Sequence, residues 1–229
     1  RRVLTNYEER VIVATKDLRV YLERAGVTPQ QRQNLIGMYG FAKRHFSSVQ
    51  VDFTVDEEHP LDGMQFIHAP GHCPGQVCIL IDDVLLSADH ILARTTPHQA
   101  PESITHYMGV GHYREALQRI ARVSGVRLAL AGHEDPIHDV YGRIHDIIQS
   151  HDRKLNRVLD IMRQADGAGL TIAEITARMY PDRHGYDELL AIEEAGAHIE
   201  YLYDHSVLSV ANLHEVEQDD NPPLRYIIS

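Results

Sequence analysis

Residues 70–90 read Pro70-Gly71-His72-Cys73-Pro74-Gly75-Gln76-Val77-Cys78-Ile79-Leu80-Ile81-Asp82-Asp83-Val84-Leu85-Leu86-Ser87-Ala88-Asp89-His90. Val77 to Ile81 is an apolar run, Asp82-Asp83 a tight turn, and Val84-Leu85-Leu86 the returning strand of a hairpin. Chemistry brackets it: Gly-His-Cys-Pro-Gly before, Ala-Asp-His after. Further on, Val126 to Ala131 reads as a buried strand that stops at Gly132-His133. His72, Asp89 and His133 therefore share one context, each following a strand. Side chains at the ends of neighbouring strands converge on one rim of a sheet. Small neighbours (Gly71, Gly75, Ala88, Gly132) let the backbone turn tightly there. Two imidazoles and a carboxylate suit Zn²⁺, with Mn²⁺ or Fe²⁺ as alternatives. Taken singly, each is equally an ordinary hydrogen-bonded loop residue, and the spacing alone does not decide.

Outward from the hairpin, residues 9–14 (Glu-Arg-Val-Ile-Val-Ala) read as a short buried strand, followed by a helix capped by Thr15 and ending at Gly26. Thr28-Pro29-Gln30-Gln31 has the form of a capping box. It opens a helix with Leu35, Ile36, Tyr39 and Ala42 on one face. Ser48 to Val55 alternates with period two, as a strand with one wet face does. Met64 to His68 is another short strand, 95–109 a loop, and Tyr113 to Val123 an amphipathic helix. A long helix is expected from about Asp139 to Ala165.

The composition shifts near residue 150, which predicts two domains, 1–149 and 150–229. The second reads as the end of the long helix, a helix from a capping box at Thr171 to before Pro181, a helix Tyr186–Asp204, and strands Val207–Ala211 and Leu224–Ile228 around a polar loop, 217–223. Three helices and a two-stranded wing is a winged-helix arrangement.

Composition sets the outer limits. The chain has 229 residues, 43% hydrophobic and 24% charged, which is ordinary globular make-up. With 22 basic and 33 acidic residues the net charge is −11, so broad non-specific binding to nucleic acid is not expected. No apolar run is long enough to span a bilayer and no signal peptide opens the chain, so no membrane role is expected. Cys73 and Cys78 form neither a disulfide framework nor a zinc-ribbon spacing, and are read as reduced thiols of a cytoplasmic protein. The chain opens with Arg1-Arg2 rather than Met, and an upstream part is expected.

The segments Pro70–Gly75, Leu86–His90 and Ala131–His133, in this order, resemble the C-terminal half of the metallo-β-lactamase-fold hydrolase superfamily. The stretches His151-Asp-Arg153, the Thr171 capping box and Ala197–Leu202 resemble the winged-helix tail of one branch, the β-lactamase-like protein 2 type. The resemblance spans roughly residues 10–210. It implies an α/β fold, the second half of an αββα sandwich followed by a small winged-helix domain. It also implies a metal-dependent hydrolase with two zinc ions. His72 would hold one metal, Asp89 would bridge, and His133 would hold the other. Metal-bound hydroxide would attack an ester, thioester or phosphodiester.

Two departures qualify the resemblance. The family's His-x-His-x-Asp-His loop is not among these 229 residues; His45, His59 and His68 stand alone. The chain is therefore expected to be a fragment that binds metal weakly and is inactive by itself. Ala131 and Glu134 replace the Pro and Gly that the family usually carries around its last histidine.

Substrate candidates are a small-molecule ester or thioester, or RNA if the parent is a ribonuclease of the same fold. The rival of another class is a non-catalytic winged-helix adaptor or regulator. Tyr186–Asp204 carries six acids and no base, so DNA is an improbable partner and a homodimer or packing role fits better. A catalytic role for Cys73 would need a base that nothing nearby supplies. His90 reads as a residue supporting the bridge, or as a solvated or capping histidine.

Overall fold

The computed structural model describes residues 5–43, 46–165 and 167–229. His45 lies outside the described residues. The chain divides into two compact units: Arg1–Thr54 with Ser103–Thr105 and Leu155–Ser229, and Val55–Glu102 with His106–Lys154. The division differs from a single cut near residue 150, because the N-terminal helices group with the C-terminal residues. No helix among the described residues is long and apolar enough to cross a membrane.

The unit built on Val55–Glu102 holds a four-stranded sheet, β1 (Met64–His68), β2 (Val77–Ile81), β3 (Val84–Ala88) and β4 (Leu128–Ala131), in the order β1-β2-β3-β4. β1 and β2 are antiparallel, β2 and β3 are antiparallel, and β3 and β4 are parallel. β1, β3 and β4 therefore run the same way, and their C-terminal ends share one edge of the sheet. Cys78, Leu80, Leu85 and Ala129 are buried with Tyr113, Leu117 and Ile120 of helix α3 (Val110–Ala121). Val140, Ile144 and Ile147, from the first part of helix α4 (Val140–Arg163), join the same core. The opposite face is apolar too. The register puts Met64, Phe66, Ile79, Ile81, Leu86 and Leu130 on it, and Ile81 and Leu130 are each 37% exposed. A sheet apolar on both faces is the pattern of a strand layer meant to be covered twice.

The other unit is mostly helical: α1 (Tyr7–Arg24), α2 (Pro29–Lys43), the rest of α4, α5 (Ile172–Met179) and α6 (Tyr186–Asp204). An antiparallel ribbon of β5 (Leu208–Val210) and β6 (Tyr226–Ile228) accompanies them. Leu18, Leu22, Leu35, Val158, Ile175, Leu189, Ile192 and Ile199 form its core. Thr171 makes the expected capping box: its Oγ1 accepts from the Glu174 N–H (3.2 Å) and its own N–H donates to Glu174 Oε2 (2.8 Å).

Three expectations fail. Residues 9–14 are not a strand; they lie inside α1. The run Val11-Ile12-Val13 imitates a strand, but the buried positions are Ala14, Leu18, Tyr21 and Leu22, which have helical spacing, and Ile12 is 59% exposed. Thr15 is accordingly no cap. It sits mid-helix, donating its hydroxyl to the Val11 carbonyl (2.7 Å), while Gly26 (φ +81°) does end the helix. Ser48 to Val55 alternates but is not a strand, and Val49, Phe53 and Val55 are exposed. Alternation makes a strand only where a neighbour accepts its backbone groups. The third is smaller: the stretch between β5 and β6 begins with a short helix, α7 (Leu213–Gln218).

Candidate metal centre

The direction of β1, β3 and β4 decides where the candidate residues lie. His72 belongs to the loop after β1, Asp89 to the turn after β3, and His133 to the loop after β4. All three loops leave the same edge of the sheet.

Asp89 and His133 meet. The His133 Nε2 lies 3.6 Å from Asp89 Oδ1, and both side chains are about half exposed. The approach depends on Gly132, whose N–H donates to the Ala88 carbonyl (2.9 Å) and whose missing Cβ would overlap Asp89 Oδ1. Ala88 itself has φ +46°, a left-handed conformation that L side chains seldom adopt. The end of β3 is thus bent out of the ladder in the residue just before the carboxylate.

His72 is oriented by its own loop. Its Nδ1 donates to the backbone carbonyl of His98 (2.8 Å). A carbonyl can only accept, so Nδ1 carries a proton and Nε2 is the nitrogen left to bind a metal. That is the tautomer of a metal-binding imidazole. Gly71 makes the loop geometry possible. It has φ +129°, and a Cβ there would overlap the backbone of Tyr113. The ligating atoms of His72, Asp89 and His133 do not all fall within 4.8 Å of one another. The pair Asp89–His133 is therefore in contact, and His72 stands apart from it on the same rim.

Two residues missed at the sequence level, Gln76 and His98, hold this rim together with Glu134, which the sequence marks only as a departure. Gln76 is 7% exposed, and its amide oxygen, in the orientation that satisfies the group, accepts from the backbone N–H groups of Asp89 and His90 (3.1 Å each). His98 acts through its carbonyl, so its residue type carries no signal. Glu134 has φ +74°, the conformation that favours the glycine usual in the family. Its carboxylate is fixed by the Thr95 hydroxyl (2.5 Å) and the Arg94 N–H (2.6 Å). Those hydrogen bonds, Thr95 first, pull its pKa down to about 2. The side chain anchors what the backbone strains.

His90 is fully buried, which rules out the solvated reading. Its ring packs edge-on to Tyr113 at 4.7 Å, and neither ring nitrogen has a hydrogen-bond partner. Burial first, then repulsion from His72 and Arg119, pushes its pKa down to about 3, so it is neutral. Cys73 is half buried, and burial, reinforced by Asp89, raises its pKa, which opposes thiolate formation.

Chemically, the rim offers imidazole nitrogens and a carboxylate with a glycine-made recess behind it. This donor set fits a borderline divalent cation such as zinc.

Comparison with known proteins bears on the family and the fold. Residues 2–160 match the family description of the metallo-beta-lactamase superfamily. A curated relative, the probable metallo-hydrolase YqjP of Bacillus subtilis (strain 168), is 22% identical over 148 residues, 62% of this chain and 45% of that protein. Among solved structures, a beta-lactamase domain protein from Burkholderia ambifaria superposes with a TM-score of 0.72 at 19% identity, covering 99% of this chain and 63% of that one. A metallo-beta-lactamase family protein from Thermus thermophilus, TTHA1429, gives 0.67 at 23% identity, covering 83% and 59%. The chain thus spans about half the length of the curated relative, and about three fifths of each of these two structures.

Proposed function

The chain belongs to the metallo-beta-lactamase superfamily, and from that membership we propose that it carries part of the metal-binding half of a zinc-dependent hydrolase site. The observation that carries the proposal is the common sheet edge, with Asp89 against His133 and His72 locked in the ligand tautomer. We assign Asp89 as the bridging ligand and His72 and His133 as ligands of one zinc ion each. Zinc, when bound, lowers the pKa of water towards neutrality and polarises a carbonyl or phosphoryl group. The chain's own residues prepare for this. The His98 carbonyl keeps the proton of His72 on Nδ1, Gly132 leaves room for the Asp89 carboxylate, and Gln76 fixes the turn that aims it.

The intact substrate class is proposed as an ester, thioester or phosphodiester. Three protein ligands are few for two metals, so weak metal binding and no turnover are proposed for these 229 residues alone. The apolar second face of the sheet supports the reading of one layer of an αββα sandwich. The order helix, helix, helix, ribbon supports a winged-helix reading of residues 150–229, and the free thiols of Cys73 and Cys78 support a cytoplasmic address.

The test is zinc titration in competition with a chromophoric chelator. Asp89→Ala and His133→Ala should each weaken binding at least tenfold, the cost of one lost ligand or more. Unchanged affinity in both would overturn the assignment.

A further inference from the structure

A cavity of about 330 Å³ lies within the helical unit and is lined by none of the residues assigned above. That volume is at the lower end of the range for small-molecule pockets. Three tyrosines and three carboxylates line it, together with the aliphatic side chains of Val20, Ile172 and Leu224. Tyr203 and Tyr226 stand nearly perpendicular, with an interplanar angle of 78° and ring centroids 6.0 Å apart. Tyr21 adds a third ring; it is 7% exposed, and its hydroxyl is spent on the Ile192 carbonyl (2.9 Å), which fixes the ring in place. Rings set at right angles are how proteins surround an organic cation, because each offers the negative face of its π system.

The charges point the same way. Asp17, Glu200 and Asp204 line the cavity against one base, Arg24. Glu200 is held by the Ser103 N–H (3.1 Å), while Arg24 donates towards the Asp220 carbonyl (3.3 Å) at the adjoining loop. The field of the carboxylates is felt by the rings. The Tyr226 hydroxyl is pushed well up by burial first and then by Glu200, and the Tyr21 hydroxyl is pushed up by burial and Glu200 in the same order. An anion would meet three carboxylates here. A neutral apolar ligand would cover them without gaining from their field.

We propose that this cavity binds a small organic cation, an alkylammonium head group enclosed by Tyr21, Tyr203 and Tyr226 and attracted by Glu200, Asp17 and Asp204. The site is independent of the metal centre and needs no metal.

The experiment is calorimetric titration of the full chain with choline chloride, set against 3,3-dimethyl-1-butanol, its uncharged isostere, at equal ionic strength. Choline should bind saturably at one site, and the alcohol at least tenfold more weakly, in line with the strength of a desolvated cation–π contact. Tyr203 is 46% exposed, so Tyr203→Ala should leave the thermal transition in place and weaken choline binding about tenfold. Glu200→Gln keeps the acceptor for the Ser103 N–H and should weaken it several-fold. The absence of saturable choline binding would overturn the proposal. So would equal binding of the alcohol, or unaltered affinity in folded Tyr203→Ala.

Discussion

The sheet rim and the helix α6 are built on opposite terms. Along α6, Leu189, Ile192, Ala195, Ile199 and Leu202 are buried together, and even Glu193 and Glu194 are less than a tenth exposed. The rim after β1, β3 and β4 leaves Asp89 and His133 about half open to solvent. It holds non-glycine residues at positive φ in Ala88 and Glu134, and it buries a histidine whose ring nitrogens lack partners. Strained backbone and unsatisfied polar atoms cost stability, and both occur beside the candidate ligands. Packing decides one region; the presentation of donor atoms decides the other. A substitution should therefore act on stability in the first and on metal affinity in the second.

The largest effect at neutral pH is expected in the helical region. Ile175 is fully buried in its core, and Ile175→Ala should cost about 3 kcal/mol in denaturant unfolding, the usual range for a buried aliphatic cut to alanine. Zinc affinity of the folded fraction should not move. If it fell in step with stability, the contrast between the two regions would collapse.

The next effect belongs to the rim and appears in acid. His90 is held neutral, its pKa pushed down from 6.5 to about 3, mainly by burial. The unfolded chain takes up a proton at this residue below pH 6.5 and the folded chain does not. Its contribution to stability is therefore complete above 6.5 and is lost as pH falls towards 3. In the metal-free chain the loss should approach about 1.4 kcal/mol per pH unit inside that window. His90→Leu should flatten the pH dependence by that slope; an unchanged slope would show that other groups govern acid unfolding.

Third comes a pure rim effect. A methyl group at residue 132 would overlap the Asp89 carboxylate, so Gly132→Ala should turn that carboxylate aside and weaken zinc binding about tenfold, equivalent to about 1.4 kcal/mol. Its unfolding midpoint should shift little, since residue 132 is exposed. A large loss of stability with intact zinc binding would reverse the roles assigned to the two regions.

What could be read from sequence follows the same divide. The hairpin Val77–Ala88, the helix Tyr186–Asp204 and the capping box at Thr171 were legible because each is written locally, in an apolar run around a turn, a helical period, or a Thr-x-x-Glu string. The placement of His72, Asp89 and His133 after strand ends was legible for the same reason. Their common edge was expected from the strand ends, but which of the three would meet depends on long-range pairing. The tautomer of His72 depends on a carbonyl at residue 98, which leaves no mark on residue type, and the anchoring of Glu134 depends on the Thr95 hydroxyl, distant in sequence. Residues 9–14 were misread because Val11-Ile12-Val13 satisfies strand propensity, whereas burial at Ala14, Leu18 and Leu22 obeys the helix. Propensity is a weak prior where packing disagrees.

The smallest expected effect tests how local the helical region is. Thr171 caps α5 through a reciprocal pair of hydrogen bonds with Glu174, and Arg225 adds a third contact to the same carboxylate (3.3 Å). Thr171→Ala removes the hydroxyl acceptor but leaves the backbone N–H of residue 171 facing Glu174, so about 1 kcal/mol should be lost, the ordinary worth of an N-cap. Thr171→Ser restores the acceptor and should recover most of it. If alanine cost two or three times more, the cap would be coupled to packing, since Gly26 (φ +81°) places its Cα where a Cβ would press on the Thr171 side chain. The contact between the end of α1 and the start of α5 would then be the source of the excess. The double variant Thr171→Ala with Ile175→Ala separates the two cases: additive losses mean an independent cap, and a sub-additive sum means that cap and core fail as one unit.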